Sequence, residues 1–121
     1  MLKFVVCEDN NIFLVNDCQL INQLMMNTNI EYKIIRCGDY NADLKNAIKA
    51  DGPKVYIIDL ELPTKMGLEI VREIRTADYY SQIIISSAHY ELENKAFKSK
   101  LMILDFISKY DEHDEKLREA L

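Results

Sequence analysis

Solid apolar runs alternate along the chain with segments in which apolar residues recur every three or four positions. The runs are "LKFVVCED" (2–9), "IEYKIIRC" (30–37), "KVYIIDLE" (54–61), "SQIIISSA" (81–88) and "LMILDFISK" (101–109), and each reads as a β-strand. Within them "VYII" and "IIIS" lack polar alternation, the pattern of strands buried on both faces. Helical segments lie between. In "NNIFLVNDCQLINQLMMN" Leu14, Cys18, Ile21 and Met25 fall on one face, and Asn10 or Asn11 can cap its start. "DYNADLKNAIKADGP" turns Leu44, Ala47 and Ile48 inward and stops at Gly52-Pro53. "KMGLEIVREIRTA" aligns Leu68, Val71 and Ile74. "YELENKAFKSK" is more polar and a weaker helix, and "DEHDEKLREAL" sets Leu117 and Leu121 one turn apart.

The order βαβαβαβαβα predicts right-handed crossovers and a parallel sheet covered by helices on both faces. Residues 1–121 read as one domain, without repeats, linker-like tracts or low-complexity segments. Hydrophobic residues make up 49% and charged residues 29%, which excludes a disordered chain. A net charge of −5 and the lack of a Lys/Arg cluster argue against direct DNA binding by this segment. Any DNA contact is expected through a separate domain beyond Leu121, the chain being read as one part of a longer protein. Cys7, Cys18 and Cys37 are odd in number and show no metal-ligand spacing, so they are expected to be reduced core residues. No signal peptide precedes "LKFVV", and no apolar stretch reaches the roughly 20 residues that span a bilayer. A cytoplasmic location, off the membrane, is expected.

Ligands of open α/β sheets bind beyond the carboxyl ends of the strands. Those ends carry Glu8 and Asp9, then Asp59, then Ser86 and Ser87, then Lys109. Taken alone, each has an ordinary explanation: a helix cap, a turn hydroxyl, a solvated lysine. Together they place three carboxylates, a hydroxyl and a lysine on one edge. Crowded carboxylates repel, and a divalent cation relieves that repulsion. An oxygen-only set suits Mg²⁺, which also binds phosphate oxygens. Asp59 can then attack phosphorus as a nucleophile, with Lys109 pairing with the phosphoryl oxygens and Ser87 donating to another.

These residues resemble those of the receiver domains of two-component response regulators. The likeness covers essentially the whole chain, through "CED", "IIDLELPTKMGLEIVREIR", "IIISSAH", "DFISK" and the spacing from Asp59 to Gly67. It implies a flavodoxin-like (βα)5 fold with a five-stranded parallel sheet of order 2-1-3-4-5. Asp59 would be the phosphoacceptor, taking its phosphoryl group from a sensor histidine kinase. Asp9 would bind Mg²⁺ directly, Glu8 would assist through water, and the Glu61 backbone carbonyl would complete the protein ligands beside Asp59. Ser87 takes the position of the family's hydroxyl, Lys109 that of its lysine, and Phe106 that of its aromatic switch residue. Phosphorylation would move Ser87 and Phe106 and so change the surface of the fourth helix and fifth strand, altering homodimer or effector contacts. "LDFISK" and "DLELP" look more like the accessory-gene-regulator-type branch, whose members carry a LytTR-type DNA-binding domain after the receiver and serve quorum sensing. Such a chain would be a regulatory phosphoacceptor that catalyses only its own phosphorylation and dephosphorylation.

The sequence departs from the family pattern at three positions. Tyr110 follows Lys109 where most receivers have proline; a cis Lys-Tyr bond costs about 3 kcal/mol, which favours trans there. Glu61 and His89 flank the path of water to an acyl phosphate and are read as modulators of its lifetime. Two other functions compete: an interaction module that keeps the fold but works without phosphate, and a hydrolase of the haloacid-dehalogenase type. The intact Asp9, Asp59, Ser87 and Lys109 oppose the first, and the lack of room for a cap domain opposes the second. Elsewhere, Met25 and Met26 are expected in the core and at a helix end. His113 is expected on the surface, and Tyr79-Tyr80 as packed loop cover.

Overall fold

The first strand, β1 (Leu2–Cys7), takes an interior place in the sheet, as suits a run that is apolar on both faces. In order there follow α1 (Asn11–Met25), β2 (Tyr32–Cys37), α2 (Ala42–Lys49), β3 (Lys54–Asp59), α3 (Gly67–Ala77), β4 (Gln82–Ser87), β5 (Asp105–Ser108) and α4 (His113–Ala120). The computed structural model describes residues 1–88, 101–109 and 113–121. Five strands form one sheet in the order β2-β1-β3-β4-β5, and every neighbouring pair is parallel. The alternation predicts the parallel sheet, and the resemblance implies this flavodoxin-like order. The fourth helical segment expected from the sequence, 90–100, lies outside the described residues.

Side chains alternate across the sheet. Val5, Cys7, Tyr56, Ile58, Ile83, Ile85 and Phe106 meet Leu44 and Ile48 of α2 and Val71 and Ile74 of α3. On the opposite face, Phe4, Val6, Ile57, Ile84 and Ile107 meet Cys18, Leu20 and Ile21 of α1 and Leu117 of α4. Burying one such isoleucine contributes about 1.5–3 kcal/mol, so these two layers supply the main force holding the sheet between its helices. All three cysteines are free and buried, as expected.

Local chemistry sets the helix starts. The Asn10 side chain accepts from the Ile12 and Phe13 amides, and the Asn41 side chain accepts from the Leu44 amide. No side chain caps α3; its amino end presses directly on the end of β3, and the Gly67 amide donates to the Leu60 carbonyl at 2.9 Å. A Cβ at Gly67 would lie 2.5 Å from both the Asp59 carbonyl oxygen and the Leu60 Cα, so only glycine allows this approach.

Three expectations need correction. The fifth strand begins at Asp105, not Leu101. Leu101 and Ile103 pack on the core, which mimics strand alternation, but Met102 adopts a left-handed φ of 56° that breaks the ladder. The Arg75 guanidinium holds this segment by donating to the carbonyls of Leu101, Met102, Tyr79 and Ser81. Tyr79 and Tyr80 are not packed down as cover: they stack edge to face and are 61% and 88% exposed. Met25 packs against the core and Met26 caps the end of α1, as expected. His113 is buried rather than exposed, because Asp17 of α1 bonds it from across the interface.

Candidate functional site

Parallel register brings the strand ends level. Cys7 sits opposite both Cys37 and Ile58, Asp59 opposite Ser86, and Ser87 opposite Ser108. The residues just past these pairs therefore share one edge. Beyond β1, the Glu8 amide still donates to the Cys37 carbonyl at 2.9 Å, which turns the Glu8 side chain inward while Asp9 stays exposed. The Asn10 amide donates to Glu8 Oε1 at 3.0 Å. From β3 comes Asp59, only 3% exposed, whose Oδ1 accepts from the Glu61 amide at 3.0 Å. Ligand oxygens of Glu8, Asp9 and Asp59 lie within 4.8 Å of one another.

Lys109 closes the cluster. Its amide donates to the Ser87 carbonyl at 2.9 Å, fixing the end of β5 against β4. Its ammonium lies 2.7 Å from Glu8 Oε2 and 3.4 Å from Asp59 Oδ2, and sits 4.8 Å from the centre of the Phe13 ring. Burial pushes the Glu8 carboxyl up to about 7, against the Lys109 and Asn10 hydrogen bonds that pull it down. Burial raises Asp59 as well, opposed by the Glu61 amide and the charge of Lys109. For Lys109, burial acts downward, but the Glu8 hydrogen bond outweighs it and the ammonium is held above its ordinary value. Two buried carboxylates share one buried cation, so negative charge is in excess, and it stands next to a third carboxylate open to solvent. The donor set, oxygens only and partly reachable by water, fits a hard divalent cation.

Other expected residues take varied positions. Ser87 is buried at the end of β4. Phe106 is buried opposite Ile85, on the face covered by α2 and α3. Glu61 is exposed at the start of a loop that an antiparallel bridge to Met66 closes. Asp39 tethers the same loop, accepting from both the amide and the hydroxyl of Thr64. His89, Tyr110 and the Lys109-Tyr110 bond lie outside the described residues.

Sequence reasoning missed Asp17, His113 and Phe13. A signal was present: Phe13, Asp17 and Ile21 are spaced four apart, so Asp17 falls on an inward face of α1. A carboxylate placed there requires a buried partner.

Residues 6–121 match the response regulator receiver domain family. Accessory gene regulator protein A of Staphylococcus epidermidis is 28% identical over 119 residues, covering 97% of this chain and 50% of the relative. The chain thus spans about half the length of the curated relatives it matches. Among solved structures, a Burkholderia pseudomallei response regulator with a phosphorylated aspartic acid, calcium ion and citrate superposes with TM-score 0.75 at 14% identity, covering 100% of this chain and 67% of that one. The Thermotoga maritima response regulator TrrA, in complex with Mg²⁺ and BeF, superposes with TM-score 0.69 at 22% identity and covers 100% of both chains. With residues 6–121 matched and the 2-1-3-4-5 sheet in place, the chain belongs to the response regulator receiver domain family.

Proposed function

We propose that this receiver domain is a phosphorylation-controlled switch in which Asp59 accepts a phosphoryl group from the phosphohistidine of a sensor histidine kinase. One observation carries the reading: Asp59 ends β3 buried, with Glu8 and Asp9 ligand oxygens within 4.8 Å and Lys109 3.4 Å away. An Asp59 oxygen attacks phosphorus, the P–N bond to the kinase imidazole breaks, and the imidazole leaves with that electron pair. Glu8, Asp9, Asp59 and the Glu61 backbone carbonyl would hold Mg²⁺, with Asp9 a direct ligand and Glu8 acting through water. When bound, the ion neutralises charge that develops on the transferring phosphoryl oxygens. Lys109 is already poised between Glu8 and Asp59 and would pair with a phosphoryl oxygen, and Ser87 would donate to another.

In this reading Ser87 and Phe106 convert the modification into a surface change, involving β5 and the segment 90–100. The output would be homodimerisation or effector contact, and transcription control through a LytTR-type DNA-binding domain outside this chain. Likeness to accessory gene regulator protein A supports that branch. The role is regulatory and cytoplasmic, and the domain turns over no substrate but its own phosphoryl group. Among the described residues, no helix is long and apolar enough to cross a membrane. Incubation with phosphoramidate or acetyl phosphate tests the reading by intact mass. The expected result is a gain of one phosphoryl group, about 80 Da, that requires Mg²⁺. A folded protein that gains nothing would instead favour a phosphate-independent module.

A further inference from the structure

Behind the acceptor site lies a buried polar pair. Asp17, in the middle of α1, and His113, the first residue of α4, are 96 positions apart and have side chains only 1% and 6% exposed. His113 Nε2 lies 2.8 Å from Asp17 Oδ1; the carboxylate accepts, so Nε2 carries the proton. A neighbouring contact holds the same two helices, with Asn16 Nδ2 donating to Asp114 Oδ1 at 2.7 Å. One turn before Asp17, the Phe13 ring meets the His113 ring edge to face at 5.5 Å, and its own face carries the Lys109 ammonium at 4.8 Å. The contacts thus form a line from Asp17 to His113 to Phe13 to Lys109.

Stability does not explain this pair. Asp17 Oδ2 and His113 Nδ1 find no partner among the described residues, so one hydrogen bond compensates two desolvated groups. An apolar pair of similar volume generally holds such an interface as well or better. What the polar pair adds is direction: it fixes the imidazole plane, and the imidazole edge fixes the ring on which the lysine rests. We propose that Asp17 and His113 are positioning residues that set, through Phe13, where the Lys109 ammonium sits, and so how fast Asp59 takes up a phosphoryl group. This rests on the reading of Asp59 as phosphoacceptor. Neither residue touches the reacting atoms.

The test is the rate of labelling by phosphoramidate with Mg²⁺, followed by intact mass, in the parent and in Asp17→Leu/His113→Leu. That double substitution fills the interface with apolar volume and leaves no buried charge unpaired. Labelling should slow roughly tenfold, the factor that a misplaced, partly desolvated cation–π contact implies, with the melting temperature unchanged or higher. The slowing should vanish in a Lys109→Ala background, because there the pair has nothing to position; a merely structural role would persist there. His113→Gln keeps an amide donor for Asp17 but offers Phe13 no aromatic edge, so it should slow labelling nearly as much as the double substitution. If the double variant does not fold, Phe13→Leu carries the same two expectations. Labelling of the double variant at the parental rate, or equal slowing with and without Lys109, overturns the inference alone. A parent that takes up no phosphoryl group overturns the acceptor reading and this inference with it.

Discussion

Replacing Gly67 by alanine should damage the acceptor site out of proportion to its effect on folding. The added Cβ would stand 2.5 Å from the Asp59 carbonyl oxygen and 2.5 Å from the Leu60 Cα, both backbone atoms. Ordinary contact begins near 3.4 Å, so α3 and the end of β3 must separate by the difference, 3.4 − 2.5 = 0.9 Å. Overpacking of this kind costs roughly 1–3 kcal/mol. Part is offset, because alanine gains about 0.5–1 kcal/mol over glycine in a helix. The net loss of stability should be about 1–2 kcal/mol by these figures, and the protein should still fold. Function should suffer more: the residue pushed aside is Asp59 itself, and a displacement of about 1 Å at a reacting group can cost on the order of 10²-fold in rate. Gly38 is the control, because a Cβ there meets nothing within 4 Å. The assay is the phosphoramidate labelling rate beside a thermal melt for the parent, Gly67→Ala and Gly38→Ala. Gly38→Ala should match the parent in rate. If Gly67→Ala also labels at the parental rate, the contact between α3 and β3 does not position Asp59 and the reasoning fails.

Further expectations concern the opposite end of the sheet and the acceptor loop. Lys54 is buried and pairs with Asp78 at 3.5 Å. Burial pushes the Asp78 carboxyl up, but the Ser81 hydroxyl, the Lys54 charge and the Ser81 and Tyr80 amides outweigh it and hold it below its ordinary value. A depressed carboxylate stabilises the fold above its unfolded pKa of about 3.9 and loses that contribution as pH falls through the folded value. Asp78→Asn should therefore lower stability by roughly 2 kcal/mol at pH 7 in urea titrations, with the difference shrinking below about pH 4. A constant difference across pH would contradict this. Arg75→Met should cost about 2 kcal/mol or more, because it removes the donor shared by four backbone carbonyls. Hydrogen exchange of the Leu104 amide, bonded to the Ile83 carbonyl at 2.8 Å, should then accelerate. Glu61→Ala and His89→Ala should change the decay rate of the phosphorylated form; identical decay in all three proteins would remove both residues as modulators.

The third and fourth strands were legible because buried parallel strands leave uninterrupted apolar runs, and "VYII" or "IIIS" fits little else. The acidic cluster followed from topology. Glu8, Asp9, Asp59 and Lys109 are far apart in sequence, yet parallel register forces their strand ends onto one edge. Misreadings occurred where tertiary partners override local pattern. "LMIL" has the apolarity of a strand, but Arg75 captures its carbonyls before a ladder can form. His113 stands among acids that mark an exposed helix start, and only a partner 96 residues away makes it a buried residue. Tyr79 and Tyr80 were expected as packed loop cover, yet they stack on each other at the surface. Conversely, the fit of Gly67 against β3 could not be read from spacing alone, because it depends on how closely a helix end approaches a strand end.

Reduction of the freshly labelled protein with borohydride, followed by peptide mass mapping, tests the central claim most directly. An acyl phosphate on a carboxylate is reduced to an alcohol, so the modified aspartate becomes homoserine. Homoserine should appear at position 59 alone, formed only after labelling in the presence of Mg²⁺ and lost in Asp59→Asn. Reduction at Asp9 or Glu8 instead, or a phosphoryl group that resists borohydride because it sits on a hydroxyl such as Ser87, would contradict it.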